Sequence, residues 1–449
     1  MQPLVKLACF DPRVQDPRHA LIGTVALLAA TVALLFALAL AEDRSLPAIG
    51  ASEPQEASLD PDRLLALGIE STPRVARRVE AIRRLEFDQV PEPQISDVAR
   101  LRRLAEGALA KPGVRRKLAA GEAELRLLGL LDADQSLSEV ATDVTALAAA
   151  YYDPRQEELF LVGDAVPAGP QLAEFVLAHE LTHALEDQRF GLPESEGLSD
   201  DRVLAESALV EGTATALMGE YATQHLDPFV LASESAAIEA GAGGELPRFA
   251  EAEVNFTYFE GARFVEELLA LGRAWALVDF AFERRLPATT EQILHPEKYL
   301  DDERALPVAP PGRPGRAWRA VDTGSLGEFG TREVLRAGEA GLGADRAAAG
   351  WGGDHYRLFA RRGTGLVCEG DCRSTHALGV AWRTDDRSDA RELTAELRRY
   401  LALALDGQAR GRGTWLLDDG WATIRVAGDR VGLGLAPDAV TARRIASQA

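Results

Sequence analysis

The chain has 449 residues and carries 49 Lys and Arg against 70 Asp and Glu, a formal net charge of −21. An acid excess of that size opposes broad adhesion to nucleic-acid backbones, and no nucleic-acid partner is expected. With 47% hydrophobic and 27% charged residues the composition is globular, which excludes a mainly disordered or fibrous protein, and the length calls for two or three structural units.

Residues 1–19 read as a cytoplasmic N-terminus in which Lys6, Arg13 and Arg18 face Asp11 and Asp16. Ala20–Ala41, ALIGTVALLAATVALLFALALA, runs without a charge. At 1.5 Å per residue it reaches about 33 Å, enough for the hydrocarbon core of a bilayer. Glu42 and Asp43 follow at once, and the basic bias before the run predicts a single-pass membrane protein with its main domain outside the cytoplasm. The membrane is therefore an expected partner through residues 20–41. Ala39-Leu40-Ala41 also has the small-x-small form of a cleavage site, so secretion after cleavage near Ala41 is the alternative. Residues 42–60, rich in Ala, Ser, Pro and acids, read as a linker.

Residues 61–306 form the predicted main domain. Amphipathic stretches at Arg74–Leu85 and Ile95–Ala110, broken by Pro91, Pro93 and Pro112, predict helices, and Arg77, Arg78, Arg83 and Arg84 read as a solvated helix face. Leu137–Ala150 predicts another helix, and an Asp153-Pro154 turn separates it from a short strand at Glu158–Val162. Gln171–Gln188, with Pro170 near its start, is the clearest helix, and a second runs from about Asp201 to His225 with apolar positions suited to burial. Glu251–Leu271 and Trp275–Glu283 predict two more around Gly272.

Residues 307–322 are rich in Pro and Gly and read as a second linker. Residues 323–449 predict a small α+β unit with helices at Glu328–Arg336 and Asp389–Leu405. Strands are expected at Tyr356–Ala360 and Leu378–Thr384, then a hairpin of Trp421–Val426 with Arg430–Leu435. Cys368 and Cys372, in VCEGDC, can close a small disulfide loop because Gly370 frees the intervening turn.

The decisive pattern is His179-Glu180-Leu181-Thr182-His183. Two histidines four residues apart differ by about 40° around a helix and rise by about 6 Å, so both rings can face one ion. Zinc accepts two neutral imidazoles and a third protein ligand, leaving a position for water, and Zn2+ is the expected cofactor. Glu180 stands about 100° around the helix, placed to take a proton from that water rather than to bind metal. Glu211 is a single acid in the apolar stretch ALVEGTA; burying it is costly unless a cation meets it, which makes it the third ligand. Glu206 and Glu220, in more polar surroundings, are the weaker alternatives.

This arrangement resembles the glutamate zincins, the thermolysin-like metallopeptidases, in which a histidine pair lies on one helix and a glutamate on the next. The resemblance implies an edge strand above the active-site helix that binds substrate backbone, a place that Glu158–Val162 fits. It departs in three respects: His183 and Glu211 are 28 residues apart, longer than in the best-known members; the asparagine-glutamate context typical of them is absent; and Thr215, not Asp, stands four residues beyond Glu211, leaving Asp187 or Glu186 to hold a ligand histidine's other nitrogen. HELTHALEDQ, ALVEGTATALM, FTYFEGARFVEELL and TTEQILHPEKYL, from about Phe175 to Leu300, further resemble a poorly characterised group of bacterial zincin-like proteins. Within those blocks Tyr258, His295 and Tyr299 are three unranked candidates to donate to the oxyanion formed at a peptide carbonyl.

The expected fold class is α+β: a mainly helical zincin-like core with a short edge strand or small sheet, a small C-terminal α+β unit and one N-terminal transmembrane helix. The expected function is zinc-dependent hydrolysis of peptide or protein substrates outside the cytoplasm. The alternative is a non-catalytic, membrane-anchored binding or assembly module on the same scaffold.

Overall fold

The computed structural model describes residues 61–449, apart from positions 147, 164–168, 194–196, 240–245, 273, 339–340, 369 and 371. The first helix, α1 (Pro61–Arg83), buries Val75, Ala76, Val79 and Ile82, a helical spacing that turns one face inward. Strand β1 (Pro93–Ser96) and helices α2 (Val98–Leu109), α3 (Pro112–Leu127) and α4 (Leu137–Ala146) lead to an antiparallel hairpin of β2 (Ala150–Asp153) and β3 (Glu158–Val162). Two long helices follow, α5 (Pro170–Phe190) and α6 (Asp200–His225). Every residue of α5 from Phe175 to Glu186 is buried, so this helix runs through the interior rather than over it.

Helices α7 (Pro228–Glu239) and α8 (Arg248–Asn255) are followed without a break by a π-helical turn, Phe256–Glu260, and α9 (Gly261–Ala270). Then come α10 (Ala276–Arg284), α11 (Thr290–Leu294) and α12 (Pro296–Leu300). Leu177, Leu181 and Leu185 of α5 share one core with Ala208, Leu209 and Leu217 of α6 and Phe264 and Leu268 of α9.

The last third of the chain is β4 (Trp318–Gly324), α13 (Gly327–Arg336), α14 (Leu342–Ala348), β5 (Trp351–Arg361), β6 (His376–Thr384) and α15 (Arg387–Leu403). It ends with β7 (Gln408–Ala409), β8 (Thr414–Leu417), β9 (Gly420–Ala427), β10 (Arg430–Ala436) and α16 (Ala439–Ala446). Its strands form one antiparallel seven-stranded sheet in the order β4-β5-β6-β10-β9-β8-β7. Leu393, Leu397, Tyr400 and Leu401 of α15 pack into a core with Trp382 and Leu433 of the sheet, while Ala442 and Ile445 of α16 pack with Trp318, Phe359 and Ala377. Cys368 and Cys372 are joined as a disulfide, with Cα atoms 5.2 Å apart.

The structure corrects the expected fold class. The protein has a mostly helical core with two substantial sheets, of three and seven strands. The C-terminal part is larger than a hairpin plus two strands because β4, β7 and β8 extend it on both edges. Strand Glu158–Val162 is not an edge either: the small sheet has the order β1-β3-β2, with β1 parallel and β2 antiparallel to the central β3.

The membrane expectation is corrected as well. Residues 20–41 lie outside the described residues, and among the described residues no helix is long and apolar enough to cross a membrane. Helices α1, α5 and α6, at 23, 21 and 26 residues, have the length but carry charges along it, such as Arg74 and Glu80, Glu174 and Asp187, and Arg202 and Glu220. The expected transmembrane helix, membrane partner and single-pass, extracytoplasmic placement are therefore withdrawn.

Candidate metal centre

Helices α5 and α6 pack side by side and bring His179, His183 and Glu211 together, with one ligand atom from each within 4.8 Å of the others. His179 Nε2 and His183 Nε2 lie 3.0 Å apart, and each lies 3.3 Å from Glu211 Oε2. A tetrahedral zinc with bonds of about 2.0–2.1 Å separates its ligand atoms by about 3.3 Å, so the spacing fits one ion. All three side chains are at most 1% exposed. The donor set suits a cation: two imidazole nitrogens and a carboxylate oxygen converge away from water, and neither ring's Nδ1 has a hydrogen-bond partner.

Without an ion the three groups share protons as a unit. Burial lowers the pKa of His179. Burial also opposes the charged form of His183, but the Glu211 carboxylate outweighs it and pulls that pKa up. Glu211 is pulled down, against its burial, by the charge of His183 and by hydrogen bonds to both rings.

Glu180 is fully buried and stands apart from the ligand atoms. Its Oε2 accepts the backbone N–H of Tyr152 at 2.9 Å, whereas Oε1 has no hydrogen-bond partner. Burial pushes its pKa up to about 8. The partner strand was missed by sequence reasoning, which extended the preceding helix to Ala150. Val162 N–H donates to the Ala149 carbonyl. By antiparallel alternation, Tyr151 and Asp153 turn their backbone groups toward β3, while Ala150 and Tyr152 turn theirs to the open edge. β2, not β3, is therefore the edge strand above the histidine helix.

Of the three oxyanion candidates, Tyr258 is brought to the centre. Its ring stacks on His179 at 5.9 Å between centroids, and its hydroxyl hydrogen-bonds Glu211. Burial, with the charges of Glu211 and Glu180, holds its phenol well above the usual range. The structure places the other two elsewhere. His295 Nε2 lies 3.0 Å from Glu328 Oε1, and the Tyr299 hydroxyl donates to the Arg285 carbonyl at 2.8 Å.

The acids flanking the second histidine also separate. Asp187 accepts from the Tyr152 hydroxyl at 3.0 Å and from Leu192 N–H at 3.1 Å. Glu186 pairs with Arg83 at 2.9 Å, and Arg83 reaches Asp279 at 2.6 Å and lies over the Trp275 ring at 4.6 Å. Arg83 is fully buried, so it does not belong to the solvated face expected for the α1 arginines.

A second acidic group, Glu291, Glu303 and Asp385, also has ligand atoms close together. Lys298 Nζ sits among them at 2.6, 3.2 and 3.0 Å, so an ammonium already supplies the positive charge there.

A family model described as a domain of unknown function, DUF8575, matches residues 316–446, which span β4 to α16. No curated protein and no solved structure matches the chain.

Proposed function

We propose that the chain is a zinc-dependent peptidase of the glutamate-zincin type acting on peptide or protein substrates. The observation that carries this reading is Glu180: a buried carboxylate beside the ligand cluster, with one oxygen fixed by a backbone N–H and the other unpaired. Holding a metal does not require such a group, whereas a general base does.

His179, His183 and Glu211 hold the zinc. When bound, it supplies Lewis acidity to the scissile carbonyl and brings a water's pKa toward neutrality. Glu180 Oε1 takes the proton as the water oxygen bonds to the carbonyl carbon, then returns it to the nitrogen as the C–N bond breaks. Tyr258 donates to the carbonyl oxygen as it becomes negative. Once the site opens, the unpaired edge of β2 lines up an extended peptide through the backbone groups of Ala150 and the carbonyl of Tyr152, whose N–H is held by Glu180.

One observation favours the alternative, a non-catalytic scaffold that only holds metal: the ligands and Glu180 are all at most 1% exposed, so substrate reaches them only after a local opening. Elemental analysis and turnover on a peptide library separate the two. Glu180→Gln keeps the acceptor for Tyr152 N–H, retains zinc and loses turnover by about 10³-fold, whereas H179A, H183A and E211A lose zinc. Unchanged turnover in Glu180→Gln, or full zinc occupancy in E211A, would overturn the assignment.

A further inference from the structure

We infer that the C-terminal unit positions Tyr258, with Phe329 and Arg332 of α13 gripping the two ends of the π-helical turn that carries it. Tyr258 is the middle residue of Phe256–Glu260, where the helix takes five residues between bonded groups and Gly261 N–H reaches back to the Phe256 carbonyl. Such a turn widens the helix locally and rotates its side chains away from regular positions, so something outside it must decide where they point.

At the first end, the Phe256 ring packs on Phe329 with centroids 4.6 Å apart. At the other, Glu260 Oε1 lies 3.7 Å from the Arg332 guanidinium, which is itself 5.3 Å over the Phe329 ring. Phe329 and Arg332 are three residues apart on α13, on the same face one turn from each other. Between the two grips stands Tyr258, stacked on His179 and bonded to Glu211.

Helix α13 is itself fastened to the metal-bearing helix. Phe329 N–H donates to Thr290 Oγ1 at 3.1 Å, and that hydroxyl donates to Asp201 Oδ1 at 2.6 Å, in the first turn of α6. Glu211 lies further along the same helix. The ligand and the tyrosine turn are thus referred to one frame, and the segment matched by a domain of unknown function supplies part of it. The catalytic consequence rests on the peptidase reading; the placement of Tyr258 does not.

The test uses the full chain, with and without zinc, labelled with ¹³C at the tyrosine ζ-carbon. Tyr258→Phe identifies the Tyr258 resonance by its loss. Arg332→Met leaves Glu260 within 3.5 Å of Arg263, so no buried charge is stranded, and Phe329→Leu removes the ring on which both Phe256 and the Arg332 guanidinium pack. Both variants are expected to shift the Tyr258 resonance while keeping wild-type zinc content, and Arg332→Lys is expected to restore it. On a cleaved peptide, Arg332→Met should lower kcat by about tenfold to a hundredfold with KM unchanged. It should cost nothing further in a Tyr258→Phe background. A Tyr258 resonance unmoved in both Arg332→Met and Phe329→Leu, or losses that add to that of Tyr258→Phe, overturns the inference. If the wild type cleaves no peptide, the peptidase reading fails and the resonance decides the inference alone.

Discussion

Gly212 and Gly261 touch where α6 crosses α9: a Cβ built on Gly212 would stand 2.2 Å from the Gly261 carbonyl carbon, and one on Gly261 would stand 2.2 Å from the Ala208 oxygen. These are backbone atoms, which cannot swing aside. Gly212 follows the candidate ligand Glu211 directly, and Gly261 follows the π-turn directly. The contact therefore sets how close Tyr258 approaches His179 and Glu211. Gly212→Ala should destabilise the chain by at least about 2 kcal/mol, as overpacking of a rigid contact does. It should also weaken zinc retention. Urea unfolding of zinc-free protein and a chelator competition assay check the two effects; wild-type values in both would show that the helices separate freely.

Lys298 governs the second acidic group. Glu291 is 1% exposed and depends on that ammonium for compensation, while Glu303 and Asp385 are open to water. Burial pushes the Glu291 carboxyl up to about 7, against the pull of Lys298. Removing the lysine strands a buried carboxylate at a junction between α11, α12 and the loop after β6. Lys298→Met should cost about 3 kcal/mol, and Glu291→Gln in the same chain should recover part of it. Elemental analysis should find one zinc per wild-type chain and none in H179A; a second equivalent that survives in H179A would mean the acids bind metal in spite of the lysine.

The convergence of His179, His183 and Glu211 was legible because it depends on short-range facts. Four-residue spacing aligns two side chains on any helix, and an isolated acid in an apolar stretch has to meet a cation. What failed was non-local. Ala150–Asp153 is only four residues long and runs into Asp153-Pro154, so it gave no periodicity to distinguish it from a helix end. That β3 is central follows from its pairing with Pro93–Ser96, a segment opened by proline and more than 60 residues upstream, about which β3 itself says nothing. Arg83 belonged to a run of arginines that reads as solvated. Its burial is set by Glu186, Asp279 and Trp275, none of them near it in sequence. The same holds for Tyr258, whose approach to His179 depends on how α9 meets α6.

Asp201 makes the stability of the fold depend on pH. It is 4% exposed, and its Oδ1 accepts both the N–H and the hydroxyl of Thr290, at 3.0 and 2.6 Å. Burial outweighs those bonds and pushes its pKa up to about 7. Asp354, at about 6, and Glu291, at about 7, are raised by burial as well. In the unfolded chain these carboxyls lose their protons near pH 4, roughly, as exposed acids do. Between about pH 4 and about pH 7 the folded state therefore binds more protons than the unfolded one, so stability falls as pH rises through that window. The contribution is complete below about pH 4 and lost once the folded groups have ionised. Asp201→Asn keeps a carbonyl oxygen for both Thr290 donors but does not titrate. It should match the wild type near pH 4 and exceed it at pH 8 by roughly 2–4 kcal/mol, flattening the slope between. Urea unfolding of chelator-stripped protein at a series of pH values measures this. Equal slopes for the two chains would mean that Asp201 is ionised in the folded protein throughout and that its burial is compensated by more than Thr290.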